Sequence, residues 1–448
     1  ESGYHFALSG NGFSATDPTL GIYPATTVSH AGGNITVTPS TAPTNAPSIT
    51  AYASAGFKGL LTVDPQTGIV SITNAHPAGV YTVTVKVSGV VVALSSFTLT
   101  VNNPVCNGAV FSEGPDVPVG NLPFSVAIGD FNRDGKQDMV TANYAGNDVS
   151  VRLGNGDGTF HMASSVAVGN NPNALAVGDF NGDGNQDIAV SNYFSNSVSI
   201  RLGDGSGGFV NHTELNVGVL PSYVAVGDFN ADGKQDIAAV ITGNTTVAIR
   251  LGDGSGNFTG SASATLGSGA FSIAIADFNA DGIQDIASAD YNLDTVSINL
   301  GDGLGGFYLA SQIEVGFNPY AIAAGDFNSD GFPDLATANF NSDDVSIRLG
   351  DGLGNFGGTT DVPVGDGPGS ITIGDFNGDG KLDFATADYS GNTVTVRTGN
   401  GSGLFSGTVQ MPVAGNPYLA VVGDFNADGR QDKKKKKNNN TVSVIMGN

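Results

Sequence analysis

Seven short acidic stretches hold most of the chemistry in this chain. The first is Asp130-Phe131-Asn132-Arg133-Asp134-Gly135-Lys136-Gln137-Asp138, and the pattern restarts at Asp179, Asp228, Asp277, Asp326, Asp375 and Asp424, always 49 residues on. Each stretch puts carboxylate or amide oxygens at positions 1, 3, 5 and 9. A glycine at position 6 permits a sharp turn. Oxygens of this kind are hard donors suited to a divalent cation. The three aspartates of each stretch account for 21 of the 41 acidic residues, in a chain of formal net charge −24. Carboxylates this clustered repel unless a cation lies among them, and seven divalent ions would bring the balance to about −10. The plainer alternative is a set of Asx-turns, with Asp and Asn capping their own backbone. That would explain one copy; seven copies keeping all three aspartates favour a bound ion.

The elements that position these stretches repeat with them. In the second unit Ala174–Val177, Ile188–Val190 and Val198–Leu202 are short apolar runs, followed by the turn Gly203-Asp204-Gly205-Ser206-Gly207-Gly208-Phe209 and a run ending near Val217. Four short strands per unit is the blade of a β-propeller, and a 49-residue period suits blades or a solenoid. The register of the ends favours a closed ring. Phe111 lies 49 residues before Phe160, so 111–119 is a fourth-type strand, while the C-terminal unit stops before its own. The two are expected to complete one blade together, hiding both sheet edges. Phe131 and its six equivalents are expected to point away from the ion, into packing between blades.

The unit resembles the FG-GAP/VCBS repeat of integrin α-subunit heads and many bacterial extracellular proteins. The resemblance covers about residues 109 to 448 and rests on the Asp-Phe-Asn-x-Asp-Gly-x-x-Asp motif. It implies a seven-bladed propeller over 105–448 with calcium in the loops, about one Ca2+ per blade. In the first loop Asp130, Asn132 and Asp134 would give side-chain oxygens, Lys136 its backbone carbonyl, and Asp138 would complete the site. The same roles fall on Asp179, Asn181, Asp183, Asn185 and Asp187; on Asp228, Asn230, Asp232, Lys234 and Asp236; and on Asp277, Asn279, Asp281, Ile283 and Asp285. They fall again on Asp326, Asn328, Asp330, Phe332 and Asp334; on Asp375, Asn377, Asp379, Lys381 and Asp383; and on Asp424, Asn426, Asp428, Arg430 and Asp432. The free variation at position 7 suits a residue used only through its carbonyl. An EF-hand is excluded, because Thr141 stands where its bidentate Glu would be.

Residues 1–104 lack the repeat. Alternating runs such as Ile35–Thr38, Ile69–Ile72, Val80–Val87 and Phe97–Val101 predict a small β-sandwich. The turn Asp64-Pro65-Gln66-Thr67-Gly68 followed by Ala78–Val85 resembles the immunoglobulin-like modules of bacterial surface proteins, in architecture only, since the Cys–Trp–Cys core is absent. Residues 1–27, with Tyr4, Phe6 and Leu8, are read as its first strand or as a strand exchanged with a neighbour. The fold class expected is all-β: a sandwich followed by a seven-bladed propeller.

The rest of the composition limits function. A net charge of −24 repels nucleic acid and anionic membranes. No run approaches the roughly 18 apolar residues of a membrane helix. Cys106 is the one cysteine, read as a free linker thiol, so disulfides do not hold the fold. The chain opens at Glu1 without Met or apolar leader, as a processed product would. The Gly-rich turns such as Leu251–Phe258 lack the lysine and helix of a phosphate loop and read as hairpins. Arg152, Arg201, Arg250, Arg348 and Arg397 recur at one position, with Asn299 in the fourth unit, and read as structural partners of carboxylates or carbonyls. The five histidines share no catalytic or metal spacing, and no nucleophile arrangement appears. Lys433–Lys437 stand where the repeat needs an apolar strand: either that strand gives way to a solvated loop, or the run is foreign to the repeat.

These features predict a secreted or surface-attached protein without catalytic activity. Three roles are open: an adhesion or recognition protein taking a protein or glycan ligand, a filament or surface-layer subunit joined head to tail through its N-terminal segment, and a binding module beside a polysaccharide-active enzyme.

Overall fold

A computed structural model describes residues 18–101, 111–426, 432–437 and 441–447, apart from positions 29–32, 45, 47, 56, 58–59, 76–78, 89–91, 261 and 414. The described residues are strands and turns. None of them forms a helix long and apolar enough to cross a membrane. The chain divides into two compact units, Glu1–Val105 and Cys106–Asn448. Tyr4, Phe6, Leu8 and Cys106 lie outside the described residues.

The first unit has two sheets. One runs in the order Thr26–Val28, Ala93–Val101, Gly79–Ser88, Ser48–Ala53; the other Gly33–Val37, Val70–Ala75, Leu60–Val63. The strands at 26–28, 48–53 and 60–63 are additional to those named from the sequence. Both sheets feed one core, with Val37, Val70 and Ile72 from one and Val83, Phe97 and Leu99 from the other. Alternation drives this: from Tyr81 to Val87 every second side chain is buried. The predicted turn forms as expected. Asp64 Oδ1 accepts the N–H groups of Gln66 and Thr67 at 2.8 Å, and Gly68 takes φ 73°.

The second unit is a β-propeller of repeated antiparallel sheets. In sheet one the strands are Pro123–Gly129, Asp138–Asn143, Asp148–Gly154 and Phe160–Ala167, in that spatial order. Five further sheets repeat this plan from Pro172, Pro221, Ala270, Pro319 and Pro368. In sheet three the fourth strand is broken into Phe258–Thr259 and Ser263–Thr265, both paired with the third strand. The seventh sheet joins Ala420–Gly423, Asp432–Lys437 and Thr441–Gly447 to the early strand Phe111–Pro118. The closure expected from the register is present, with Thr441 opposite Pro118 and Gly447 opposite Phe111.

Burial explains the apolar pattern. Second strands such as Asp187–Asn192 are buried at every residue. A strand covered on both faces reads as a continuous apolar run. Fourth strands, at the rim, are mostly exposed. First strands of consecutive sheets are neighbours, and Ala420–Gly423 touches Pro123–Gly129, so they enclose a central channel.

At Lys433–Lys437 the strand is kept, so of the two alternatives the solvated loop is not what forms. The strand pairs with Ala420–Gly423 on one side and Thr441–Gly447 on the other. Ladder hydrogen bonds use the backbone alone, so the flanking strands set this path whatever the side chains.

Candidate functional site

The acidic stretches connect first to second strands and lie together at one end of the ring. Position 1 is the hub of each loop. Asp130 Oδ1 accepts Asp134 N–H at 3.1 Å and Oδ2 accepts Gly135 N–H at 2.9 Å. Asn132 Oδ1 accepts Asp134 N–H, and Asp134 Oδ1 accepts Lys136 N–H at 2.9 Å. The same bonds recur around Asp179, Asp228, Asp277, Asp326 and Asp375. In the seventh loop Asp428 and Arg430 lie outside the described residues.

Position 9 has a role the motif alone does not announce. Asp138 opens the second strand and is fully buried. Its Oδ2 accepts Phe131 N–H at 2.9 Å and its Oδ1 accepts Gly154 N–H at 2.8 Å. One carboxylate thus fastens the loop to the end of the third strand. Asp187, Asp236, Asp285, Asp334 and Asp383 do the same. Burial, reinforced by the carboxylates at positions 1 and 5, pushes Asp187, Asp285 and Asp334 up to about 6 and Asp383 to about 7.

The donor set suits a hard cation. In the first loop both Asp130 oxygens and Asp134 Oδ1 each accept one backbone N–H, which leaves a second lone pair on each. Three carboxylates repel across one loop. Among the described residues no three acidic, imidazole or thiol groups already form a ligand cluster. A cation here would have to draw on a mixed set: two loop carboxylates, one amide, a backbone carbonyl and the engaged position-9 carboxylate.

Position 4 carries a strain that the motif leaves unspecified. Arg133, Ala231, Ala280 and Ser329 take φ of 55 to 62°, while Gly182 and Gly378 fill the same place in loops two and six. Left-handed backbone costs a Cβ-bearing residue roughly 1 kcal/mol. Ala231→Gly and Ala280→Gly should therefore each stabilise the protein, by about 0.5–1 kcal/mol in a denaturant titration. A loss of stability would contradict the assignment.

The loops also bind neighbouring sheets together. Phe376 is only half-buried, but Phe131, Phe180, Phe229, Phe278, Phe327 and Phe425 are buried, as expected. Each packs against the phenylalanine closing a hairpin of the next sheet, as Phe180 does on Phe258 with centroids 5.6 Å apart. The carbonyl of each accepts a glycine N–H from the same hairpin, for example Gly256 to Phe180 at 2.9 Å. The contact between Phe425 and Gly158 closes the ring.

The recurring arginines are structural, as expected. Each donates to the last carbonyl of the preceding fourth strand: Arg152 to Pro118, Arg201 to Ala167, Arg250 to Asn216, Arg348 to Glu314 and Arg397 to Pro363. Asn299 cannot reach that far, and its Nδ2 is buried without a partner.

The opposite end of the ring holds what the sequence left unseen. Positions 124, 173, 222, 271, 320, 369 and 418 form one 49-residue series: Phe, Asn, Ser, Phe, Tyr, Gly and Tyr. Six of them sit at a break in pairing register near the start of a first strand. Such a bulge re-aims a side chain. Here the side chains line the channel mouth. Beside them stand Tyr144, Tyr291, Phe340 and Tyr389, which follow the second strands. Ring contacts run unbroken from Tyr144 through Phe124, Tyr418, Tyr389, Phe340 and Tyr320 to Phe271, with centroids 4.7–6.3 Å apart. Asn173, Ser222 and Thr242 leave a polar gap in this arc. Each ring is only half-buried, and Phe194, Val219, Leu293 and Phe317 stand exposed in the loops of the same end.

The second strands reach this end through a buried polar position. Asn143 Nδ2 donates to Asp148 Oδ1 and Ser150 Oγ. Asn192 and Asn339 repeat the contact to serine, but Asp290 and Asp388 replace them and accept from hydroxyls instead. Burial holds the Asp290 carboxyl above its ordinary value. The folded state therefore binds a proton more readily than the unfolded chain, and stability from this group is lost as pH rises through the folded value. Asp290→Asn should melt higher than the parent at neutral pH. The gap should shrink toward about pH 4, the ordinary carboxyl range; a gap independent of pH would show that the charge is not its cause.

FG-GAP-like repeats match residues 130–190, 179–239, 228–288, 277–337, 326–386 and 375–432. No curated protein matches the sequence. Among solved structures the chain is similar to BBS1N in its complex with ARL6DN, at 11% identity and TM-score 0.56, over 76% of this chain and 98% of that one. It is also similar to a protein from Lactobacillus plantarum, at 16% identity and TM-score 0.51, over 72% and 91% of the two chains. A third likeness is to a putative 6-phosphogluconolactonase from Bacteroides uniformis, at 12% identity and TM-score 0.50, over 71% and 90%. At such identities the likeness concerns the fold alone. With six tandem matches across 130–432 and the acidic loops they coincide with, the chain belongs to the FG-GAP-like repeat family.

Proposed function

We propose that this chain is a non-catalytic, calcium-stabilised recognition protein of the cell exterior, a seven-bladed propeller preceded by an immunoglobulin-like module. The observation that carries this reading is the contrast between the two ends of the ring. At the acidic end the loops are nearly identical from sheet to sheet, as parts of a scaffold are. At the channel mouth the equivalent positions differ, and half-buried aromatic rings are gathered there, with no other described residue of the second unit over them. Exposed apolar surface of this kind marks a binding site, and a rigid scaffold with varied loops is how binding proteins are commonly built.

Calcium belongs to the scaffold in this reading. It would be held by the oxygens at positions 1, 3, 5, 7 and 9, supplying positive charge among mutually repelling carboxylates. Extracellular modules bind calcium at roughly 10⁻⁴–10⁻³ M, which fits a protein working outside the cell. Head-to-tail assembly would rest on residues 1–10, outside the described residues, and no other observation favours it.

Adhesion tests the recognition reading. Beads coated with the full chain in about 1 mM calcium should adhere to bacterial cells or their extracellular matrix. The combined variant Tyr291→Ala/Tyr320→Ala/Tyr389→Ala/Tyr418→Ala should lose about tenfold or more of that adhesion while the Ala231→Gly variant keeps it. Equal adhesion by the aromatic variant would sink the reading.

A further inference from the structure

We propose that the aromatic arc holds a sugar-binding pocket, opened by Gly369, that takes the pyranose ring of a neutral glycan. This deepens the recognition reading and rests on it. Tyr291, Tyr320, Phe340, Tyr389 and Tyr418 enclose a cavity of about 100 Å³ over Gly369. It shares Tyr320, Gly369 and Tyr418 with the channel mouth, a cavity of about 290 Å³. Drug-sized ligands occupy roughly 300–1,000 Å³, so the space suits one or two rings.

Gly369 is the opening. It stands in the series that places Tyr at 320 and 418. Its backbone does not require glycine: its φ is not in the left-handed region, and an added Cβ would meet nothing nearer than 3.7 Å, at the Tyr418 carbonyl. What the missing side chain does is leave a gap between five rings. An aromatic residue here, as at 124, 271, 320 and 418, would fill it.

The lining selects the ligand. The deeper cavity is rimmed by Ser125, Asn173, Ser222, Ser272, Ser370 and Thr372, and no Asp, Glu, Lys, Arg or His lines either space. The Ser222 hydroxyl is buried, 6% exposed, and has no hydrogen-bond partner. A buried hydroxyl left unpaired is costly, and a ligand hydroxyl would satisfy it. An anionic ligand would meet a chain of net charge −24 with no cation in the pocket. An organic cation would gain from the ring faces but has no use for a row of hydroxyls and an amide. A glycan matches both spaces: one pyranose ring lies with its C–H face against the aromatic rings over Gly369, while the next ring, in the channel mouth, brings its hydroxyls to the side lined by Ser222 and Asn173.

The experiment uses the full chain with calcium present. An array of neutral oligosaccharides identifies the best binder, and titration calorimetry compares it with choline and with a uronic acid. The expected result is binding of a neutral sugar alone. Gly369→Tyr should weaken it about tenfold or more, equivalent to roughly 1.4 kcal/mol, without lowering the melting temperature. Ser222→Ala should weaken it several-fold. Should Gly369→Tyr fail to fold, Tyr389→Ala and Ser222→Ala pose the same question from the walls. No neutral-sugar binding, preferred binding of choline or uronate, or undiminished binding by these variants would overturn the proposal. If sugars fail while adhesion still depends on the four tyrosines, recognition stands and its glycan chemistry falls.

Discussion

Replacing Lys433–Lys437 by Leu-Ala-Thr-Ala-Asn, the residues at 335–339, is expected to raise the melting temperature by about 5 °C or more. The five lysines occupy the second strand of the sheet that closes the ring. In the other six sheets every residue of that strand is buried. An ammonium group taken from water without a partner costs several kcal/mol. A kilocalorie shifts melting by about 2–4 °C in domains of roughly 150–250 residues and less in larger ones. The variant should also slow proteolysis in residues 426–441. An unchanged or lower melting temperature would show that the seventh sheet does not depend on filling these positions.

The second large effect belongs to position 9. Asp236→Ala should cost about 2–6 kcal/mol, because it orphans two buried N–H groups, each worth roughly 1–3 kcal/mol when left unpaired. Those groups are Phe229 N–H at 2.9 Å and Gly252 N–H at 2.7 Å. The cost should persist in chelator, since both bonds join protein groups directly. Asp228→Ala is the contrast. Its carboxylate binds Asp232 and Gly233 N–H in an exposed loop, so most of its effect should appear only when calcium is present. Melting curves with and without chelator separate the two. Equal losses for both variants in chelator would refute the fastening role that position 9 carries beyond its share in holding the ion.

The contrast between these two aspartates marks where sequence stops being informative. Position, spacing and a glycine were enough to place Asp130, Asp134 and Asp138 in one loop, because a nine-residue turn is local. They were not enough to find the partner of Asp138, Gly154, which lies 16 residues on and is reached only when the third strand folds back. The ring closure was legible, since Phe111 stands in register with six other phenylalanines. The arginines were legible as structural but not by target, because Ala167 and Arg201 meet only across two sheets. The channel mouth was least legible. Phe124, Phe271, Tyr320 and Tyr418 are scattered over almost 300 residues, and a register break of one residue turns the first three of them inward. Apolar periodicity does not announce such a bulge. In the first unit, strands 48–53 and 60–63 escaped because small and polar residues blur their alternation.

The seventh sheet carries one more consequence, in mechanics. Phe111 and Gly447 occupy the same rung of the ladder between the strands that close the ring. A pull applied between those two residues would therefore load the rungs one after another, as a zipper opens, and not all together in shear. Hydrogen bonds broken singly resist far less force than the same bonds broken in parallel. The ring would then be weak against tension across its seam. Load taken through the faces of the propeller would bypass that seam, so an adhesive role would be best served by holding at the channel mouth and keeping the seam slack.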